Sequence, residues 1–229
     1  HGTILQDDDS SAAIVYATDN GAKIINMSWG SPRNSFIIRD AIDYAYARGV
    51  VLVAAAGNGR TQKSIFPAGY PKVISVASTE QNGRRFYQSN FGAAIDIGAP
   101  GNLILSTHIN DSYRLLTGTS MAAPHVSGVA ALILSKRPNL THEEVRQRII
   151  STVDPIIQSP ELVDAGNLNA SKALLASALL QSRIFSPKTD SGELHKINIV
   201  GSAHGFRFDT WQLMYGLSTT PKIWTTIHQ

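Results

Sequence analysis

The 229-residue sequence predicts an α/β fold, a parallel sheet with helices on both faces, followed by a small all-β segment at its C-terminal end. Three observations carry this. Residues 23–27, 50–56 and 73–77 are short, almost continuously apolar runs, the text of strands buried on both sides. Segments with helical spacing lie among them, and such alternation argues for parallel strands joined across helical layers. From about residue 186 the pattern changes to strand-like alternation with turns.

Taken in order, Ile4 and Leu5 read as the tail of a strand. Asp7, Asp8 and Asp9 read as a solvated turn favouring the next helix N-terminus, rather than as a metal site. A helix over 10–20 sets Ala13, Ile14 and Ala17 on one side and stops at Asn20-Gly21. After the strand at 23–27, residues 28–32 form a turn. A helix over 34–48 places Ile37, Ile38, Ala41, Ile42 and Ala45 on one face and ends at Gly49. The strand at 50–56 runs directly into Gly57-Asn58-Gly59. In open parallel sheets, sites lie beyond the carboxyl ends of the strands, where both this turn and 28–30 fall. Residues 79–118 are a loop-and-strand region, and a long apolar helix then runs to about Lys136. Thr141 and Glu144 form a capping box for a helix with Val145, Ile149 and Ile150 on its apolar face. Residues 168–174 give a last short helix that could extend to Leu180. The expected division is 1–183 for the α/β domain and 184–229 for a β-rich accessory segment, incomplete as it stands. Phe206, Phe208, Trp211, Tyr215 and Trp224 suit half of a sandwich core better than a binding face.

Composition narrows the function. Hydrophobic content of 43% and charged content of 16% are those of a globular protein. A net charge of +3, with no Lys/Arg run longer than a pair, gives no electrostatic case for nucleic acid. There is no cysteine, hence no disulfide framework and no thiolate chemistry. No apolar run approaches the roughly 20 residues of a membrane helix. The chain opens on His1 with no signal-like segment, so a processed or excised piece is expected.

The sharpest chemical signal is Thr117-Gly-Thr-Ser-Met-Ala-Ala-Pro-His125. It puts the Ser120 hydroxyl at a helix N-terminus, where unpaired N–H groups can hold a developing oxyanion. Gly118 permits close approach of another backbone, and Pro124 suits a first helical turn. Alone, a Thr-Ser pair before an apolar run is only a helix cap. The whole string GTSMAAPHVSGVAALIL, however, resembles the serine-nucleophile segment of the subtilisin-like serine proteases, the subtilases.

That resemblance covers about residues 4–177 and implies a three-layer subtilisin-like domain and a serine endopeptidase. It implies that Ser120 is the nucleophile. Ala54-Ala-Ala-Gly-Asn58 resembles the segment whose Asn donates to the tetrahedral intermediate beside the serine N–H, which gives Asn58 that role. Alone, Gly-Asn-Gly would be a turn. Residues 25–30 resemble the strand that pairs with substrate, through Ser28 and Gly30, with Trp29 beside an adjacent subsite or simply packed. Ala54, Ala55, Ala56 and Gly57 form the opposite wall, and their small size predicts a roomy apolar slot.

The base is harder to place. His125 lies five residues after Ser120 on one helix, about 140° round and about 7.5 Å along, out of reach. His1-Gly2-Thr3 matches the letters of the family's His motif, which makes His1 the candidate base. The family continues from that motif through a helix and a strand, whereas Ile4 follows here at once, so either the match is chance or an intervening piece is absent. His108, His142, His195, His204 and His228 read as surface residues. No Asp has the setting of the family's orienting carboxylate, and Asp96 belongs to structural text, so the resemblance lacks a complete triad on its N-terminal side. Little turnover is expected of the 229 residues alone. The implied partner is a polypeptide substrate; the chain is expected to be a monomer, secreted, with no membrane contact. The family often binds calcium, but no loop here has defensible ligand spacing, so neither a cofactor nor a metal site is assigned. Two rivals remain: a non-catalytic peptide-binding remnant, and an α/β-hydrolase esterase using Asp164 and His195. The second fits poorly, because Ala122 stands where a nucleophile elbow needs Gly.

Overall fold

The computed structural model describes residues 6–156 and 166–176, together with the strands at 181–186, 200–204, 213–215 and 225–228. Its centre is a four-stranded parallel sheet in the order β1 (Ile24–Met27), β2 (Val51–Ala55), β3 (Ile74–Thr79), β4 (Ile97–Pro100). Strand β2 is fully buried, and its side chains alternate between two cores, as a strand's twofold period requires. Val51, Val53 and Ala55 face one helical layer; Leu52 and Ala54 face the other.

The first layer is α3 (Thr119–Lys136), packed against all four strands, with α4 (His142–Ser151) and α5 (Ala170–Leu175) beside it. Helix α3 buries Ala122, Ala123, Val126, Val129, Ala130 and Ile133 against Val53, Val76, Ile97 and Ala99. The alanines allow close approach of helix and sheet. The second layer is α1 (Asp7–Asp19) against α2 (Phe36–Ala47), closing on Met27 and Leu52 through Ile14, Ile38, Ala41, Ile42 and Ala45. The expected three-layer architecture is therefore present. Only the β1-to-β2 connection is helical among these strands; β2 to β3 and β3 to β4 are joined without a helix.

Several local expectations are corrected. Helix α1 begins three residues earlier than its apolar stripe, so Asp7, Asp8 and Asp9 form its first turn, where their charges oppose the helix dipole favourably. The region 79–118 contains β4 and an antiparallel hairpin, β5 (Ile104–His108) with β6 (Ser112–Leu116), turned by Asn110 and Asp111 at positive φ. Polar and apolar residues mix there without a clean period. The capping box stands as read: Thr141 Oγ1 accepts from the Glu144 N–H at 3.2 Å, and Glu144 Oε2 accepts from the Thr141 N–H at 2.8 Å. Beyond α5, β7 (Gln181–Ser186) pairs antiparallel with β8 (Val200–His204), and β9 (Leu213–Tyr215) with β10 (Thr225–His228).

His142 is not the surface residue its sequence context suggests. It stacks edge-on against Tyr46 with ring centroids 4.3 Å apart, and its Nε2 is buried with no hydrogen-bond partner among the described residues. Burial pushes the imidazole below its ordinary range, outweighing the Glu143 carboxylate beside it. A base with a depressed folded-state pKa contributes stability that is complete above its unfolded value, about 6.5, and fades as pH falls below it. Wild-type unfolding free energy should thus decline from pH 7 to pH 5, with a flatter profile in His142→Gln; parallel urea-denaturation profiles would refute this.

Candidate active site

The site is assembled where α3 begins, against the carboxyl ends of β1 and β2. Gly118 precedes the helix at φ +149°, and an added Cβ would stand 3.1 Å from Asn58 Nδ2. Only a glycine lets the turn after β2 come so close. Three hydrogen bonds then join helix and sheet. The Gly57 N–H donates to Thr119 Oγ1 at 3.1 Å, and the Thr119 N–H donates to Asn58 Oδ1 at 2.9 Å. Ser120 Oγ donates to the Ser28 carbonyl at 3.1 Å.

These bonds fix the Asn58 side chain. A backbone N–H can only donate, so the atom meeting Thr119 is the amide oxygen, and the Nδ2 donor has no partner among the described residues. The Ser120 N–H likewise makes no hydrogen bond among the described residues. Two donors that make no hydrogen bond among the described residues therefore lie at the start of α3, one on the Asn58 amide that meets Thr119 and one on the half-buried Ser120. That arrangement can receive negative charge on an oxygen attached to a carbon that Ser120 attacks.

Pro124 behaves differently from expectation. Helix α3 starts at Thr119, so the proline lies in its second turn. A residue there would normally donate to the Ser120 carbonyl, four residues back, and proline has no N–H to do so. Ser28 Oγ supplies the missing donor at 2.9 Å. Ser28 in turn accepts from Asn26 Nδ2 at 2.9 Å, and Asn26 Oδ1 accepts from Ser127 Oγ at 3.0 Å. The freed carbonyl thus becomes a docking point between helix and β1.

The two walls expected to hold a peptide, 28–30 and 54–57, do face one another across this corner, but the gap is not roomy. The Ile65 side chain lies between them: a Cβ on Gly30 would collide with Ile65 Cγ2, and one on Gly57 would stand 2.9 Å from Ile65 Cγ1. Residues 65–66 are held there by paired backbone bonds between Ser31 and Phe66, at 2.9 and 2.8 Å. Small wall residues alone could not reveal a plug arriving from a distant loop. The side chains of Ala54 and Ala55 are buried in opposite cores, and Ala56 packs with Ala77 and Ile95, so these three can offer only backbone to a ligand. Trp29 packs against the core cluster of α1 and α2.

His1 lies outside the described residues, as do Asp164 and His195. His125 Nδ1 stands 2.9 Å from the Met121 carbonyl, one turn back on its own helix. Among the described residues no group of three or more His, Cys, Asp or Glu could hold a metal ion. No helix among them is long and apolar enough to cross a membrane.

Sequence reasoning passed over Asn90, Thr119 and Ile65. Thr119 was visible as a cap candidate, yet its hydroxyl faces β2 instead of its own helix.

Comparison with known proteins follows this geometry. The model described as "Subtilase family" matches residues 2–197. The chain is 47% identical over 145 residues to subtilisin DY of Bacillus licheniformis, covering 62% of this chain and 53% of that protein. It is 40% identical over 161 residues to thermitase of Thermoactinomyces vulgaris, covering 70% and 57%. Among solved structures, the prenylagaramide maturation protease PagA superposes with a TM-score of 0.71 at 33% identity, over 76% of this chain and 69% of that one. Fervidolysin from Fervidobacterium pennivorans, described as a keratinolytic enzyme related to subtilisin, gives 0.67 at 35% identity, over 75% and 29%. The chain spans about half the length of the curated relatives it matches.

The role given to Ser28 can be tested by unfolding. Ser28→Ala should destabilise the chain by about 1–3 kcal/mol, the cost of stranding a buried polar group. Pro124→Ala should be more favourable in that background than in wild type, because an alanine N–H can reach the Ser120 carbonyl. Equal effects in both backgrounds would show that the carbonyl is not what Ser28 serves.

Proposed function

Because the chain belongs to the subtilase family, we propose that its site carries out serine-endopeptidase chemistry. The observation that supports this best is that the Asn58 amide is held against Thr119, next to Ser120, while its Nδ2 and the Ser120 N–H make no hydrogen bond among the described residues. In this reading a peptide lies along 28–30 as an added strand and Ser120 Oγ attacks its scissile carbonyl. The oxyanion is received by the two donors while a His takes the serine proton. His1 is the candidate for that base. An acyl-enzyme forms on Ser120 as the amine leaves, and water then releases the acid. The same likeness argues for a secreted, monomeric enzyme acting on polypeptides, with 184–229 as an accessory segment.

Ser120 Oγ is bonded to a backbone carbonyl, and no imidazole meets it among the described residues. We propose that the 229 residues by themselves turn over little, because no Asp in them has the setting of the family's orienting carboxylate, and loss of triad members costs several powers of ten even when the oxyanion donors survive. Casein hydrolysis by the purified chain at ordinary protease rates, abolished in Ser120→Ala, would overturn this part. The same bond keeps a second reading open, a peptide-binding site without turnover; saturable peptide binding with no acyl-enzyme would favour it. The esterase reading falls with the family match.

Ile65 supports a preference for a small residue at the position bound between the walls. Peptide boronic acids test both this and the donors, because they mimic the tetrahedral adduct on serine. Binding by the chain should favour Ala over Phe at that position by at least about tenfold, and Ile65→Gly should reverse the order. Asn58→Ala should weaken binding by about a hundredfold. That figure follows the cost of removing this donor in a subtilisin, which is itself the general example of the effect. Unchanged affinity in Asn58→Ala would remove the oxyanion role.

A further inference from the structure

Resting on the reading of Asn58 as an oxyanion donor, we propose that Asn90 is the positioning residue for the Asn58 amide. Asn90 is 2% exposed, on the loop between β3 and β4, far in sequence from both Asn58 and Ser120. Its side chain makes three hydrogen bonds, all to the turn that follows β2. Nδ2 donates to the Ala56 carbonyl at 2.8 Å, while Oδ1 accepts from the Gly59 N–H at 2.9 Å and the Thr61 N–H at 3.3 Å. Its backbone N–H donates to the Gly57 carbonyl at 2.9 Å. The backbone on both sides of Asn58 is thus tied to one residue, and the pattern admits only one orientation of the amide, since carbonyls accept and N–H groups donate.

The neighbouring residues are shaped to the same contact. Gly57 adopts φ +98°, and a Cβ there would stand 2.7 Å from Asn90 Nδ2, so the glycine is what admits the asparagine. Asn90 is itself fixed: Ser89 Oγ donates to the Asn90 carbonyl at 3.1 Å and accepts from the Ser78 N–H of β3 at 2.9 Å. The chain of contacts runs from β3 through Ser89 and Asn90 to the turn, and from the turn through Asn58 to Thr119. Asn58 is exposed and, among the described residues, its side chain has one bond, from Thr119, so its aim depends on the turn that carries it. Asn90 touches neither the serine nor a substrate; it acts through the Asn58 amide.

The Thr119 N–H reports on this directly, because its acceptor is Asn58 Oδ1. Amide hydrogen exchange, followed by NMR on the whole 229-residue chain, needs no turnover and can succeed even if the protease reading fails. In Asn90→Ala, exchange at Thr119 should accelerate at least tenfold while amides of the β2–β3 ladder keep their wild-type rates. Asn58→Ala should give a similar acceleration, and adding Asn90→Ala to it should add little at Thr119. Should Asn90→Ala fail to fold, Asn90→Ser leaves a neutral hydroxyl that can serve one of the three partners but not all, and a smaller, still local acceleration is expected. Unchanged exchange at Thr119, or acceleration shared equally by the β2–β3 ladder, would overturn the proposal. Boronic acid binding separates the two readings: a local change at Thr119 with no effect of Asn58→Ala on binding would keep Asn90 as the turn's anchor and discard the oxyanion role.

Discussion

The beginning of α3 is held at the sheet's edge by hydrogen bonds that cross from helix to strand, and the geometry of the whole site depends on them. A helix N-terminus leaves its first N–H groups unpaired. Here the Thr119 N–H finds the Asn58 oxygen, and the next one, from Ser120, finds no acceptor among the described residues. Gly118 brings Thr119 against the turn after β2, while Ser120 turns to the end of β1, where its hydroxyl and its carbonyl both bond Ser28. An uncommitted donor beside a hydroxyl is thus a consequence of where the helix is pinned.

Pinning requires that the body of the helix lie close to the sheet. Ala122, Ala123 and Ala130 on α3 meet Val53, Val76 and Ala99 on the strands, and every one of them is wholly buried. Larger residues at these positions would lift α3 away from the sheet and lengthen the hydrogen bonds to Gly57 and Asn58. The core on this side therefore does more than exclude water. Its small residues set the height at which Ser120 stands above the strand ends.

Much of this was legible beforehand, and for physical reasons. Buried parallel strands must be apolar throughout, so β2 and β3 are plain in the text, and a capping box is a local device readable from two residues. Ser120 and Asn58 were singled out through long motifs whose members are contiguous. What escaped was non-local. Ile65 reaches the peptide corner from a loop whose own sequence, Lys-Ser-Ile-Phe-Pro, carries no sign of its destination. Asn90 was not singled out within the loop-and-strand region 79–118, because its partners lie some thirty residues away and an asparagine shows its polarity but not its acceptors. Pro124 was read as a first-turn residue because the register of a helix cannot be fixed from composition to within a few residues.

The proline shows how a local defect becomes a long-range constraint. Inside a helix it removes one donor, and the carbonyl so freed must find another partner or lose free energy. In an isolated helix water would serve. In this chain the freed carbonyl belongs to Ser120 itself, and the hydroxyl that satisfies it, on Ser28, comes from the strand end expected to hold a substrate. Ser120 then returns a bond to the Ser28 carbonyl. Ser120 and the strand end proposed to hold a peptide are coupled through a reciprocal pair that exists because one N–H is missing. A peptide seated on that strand would enter a register already fixed relative to the attacking oxygen, which is the orientation that raises the effective concentration of a nucleophile.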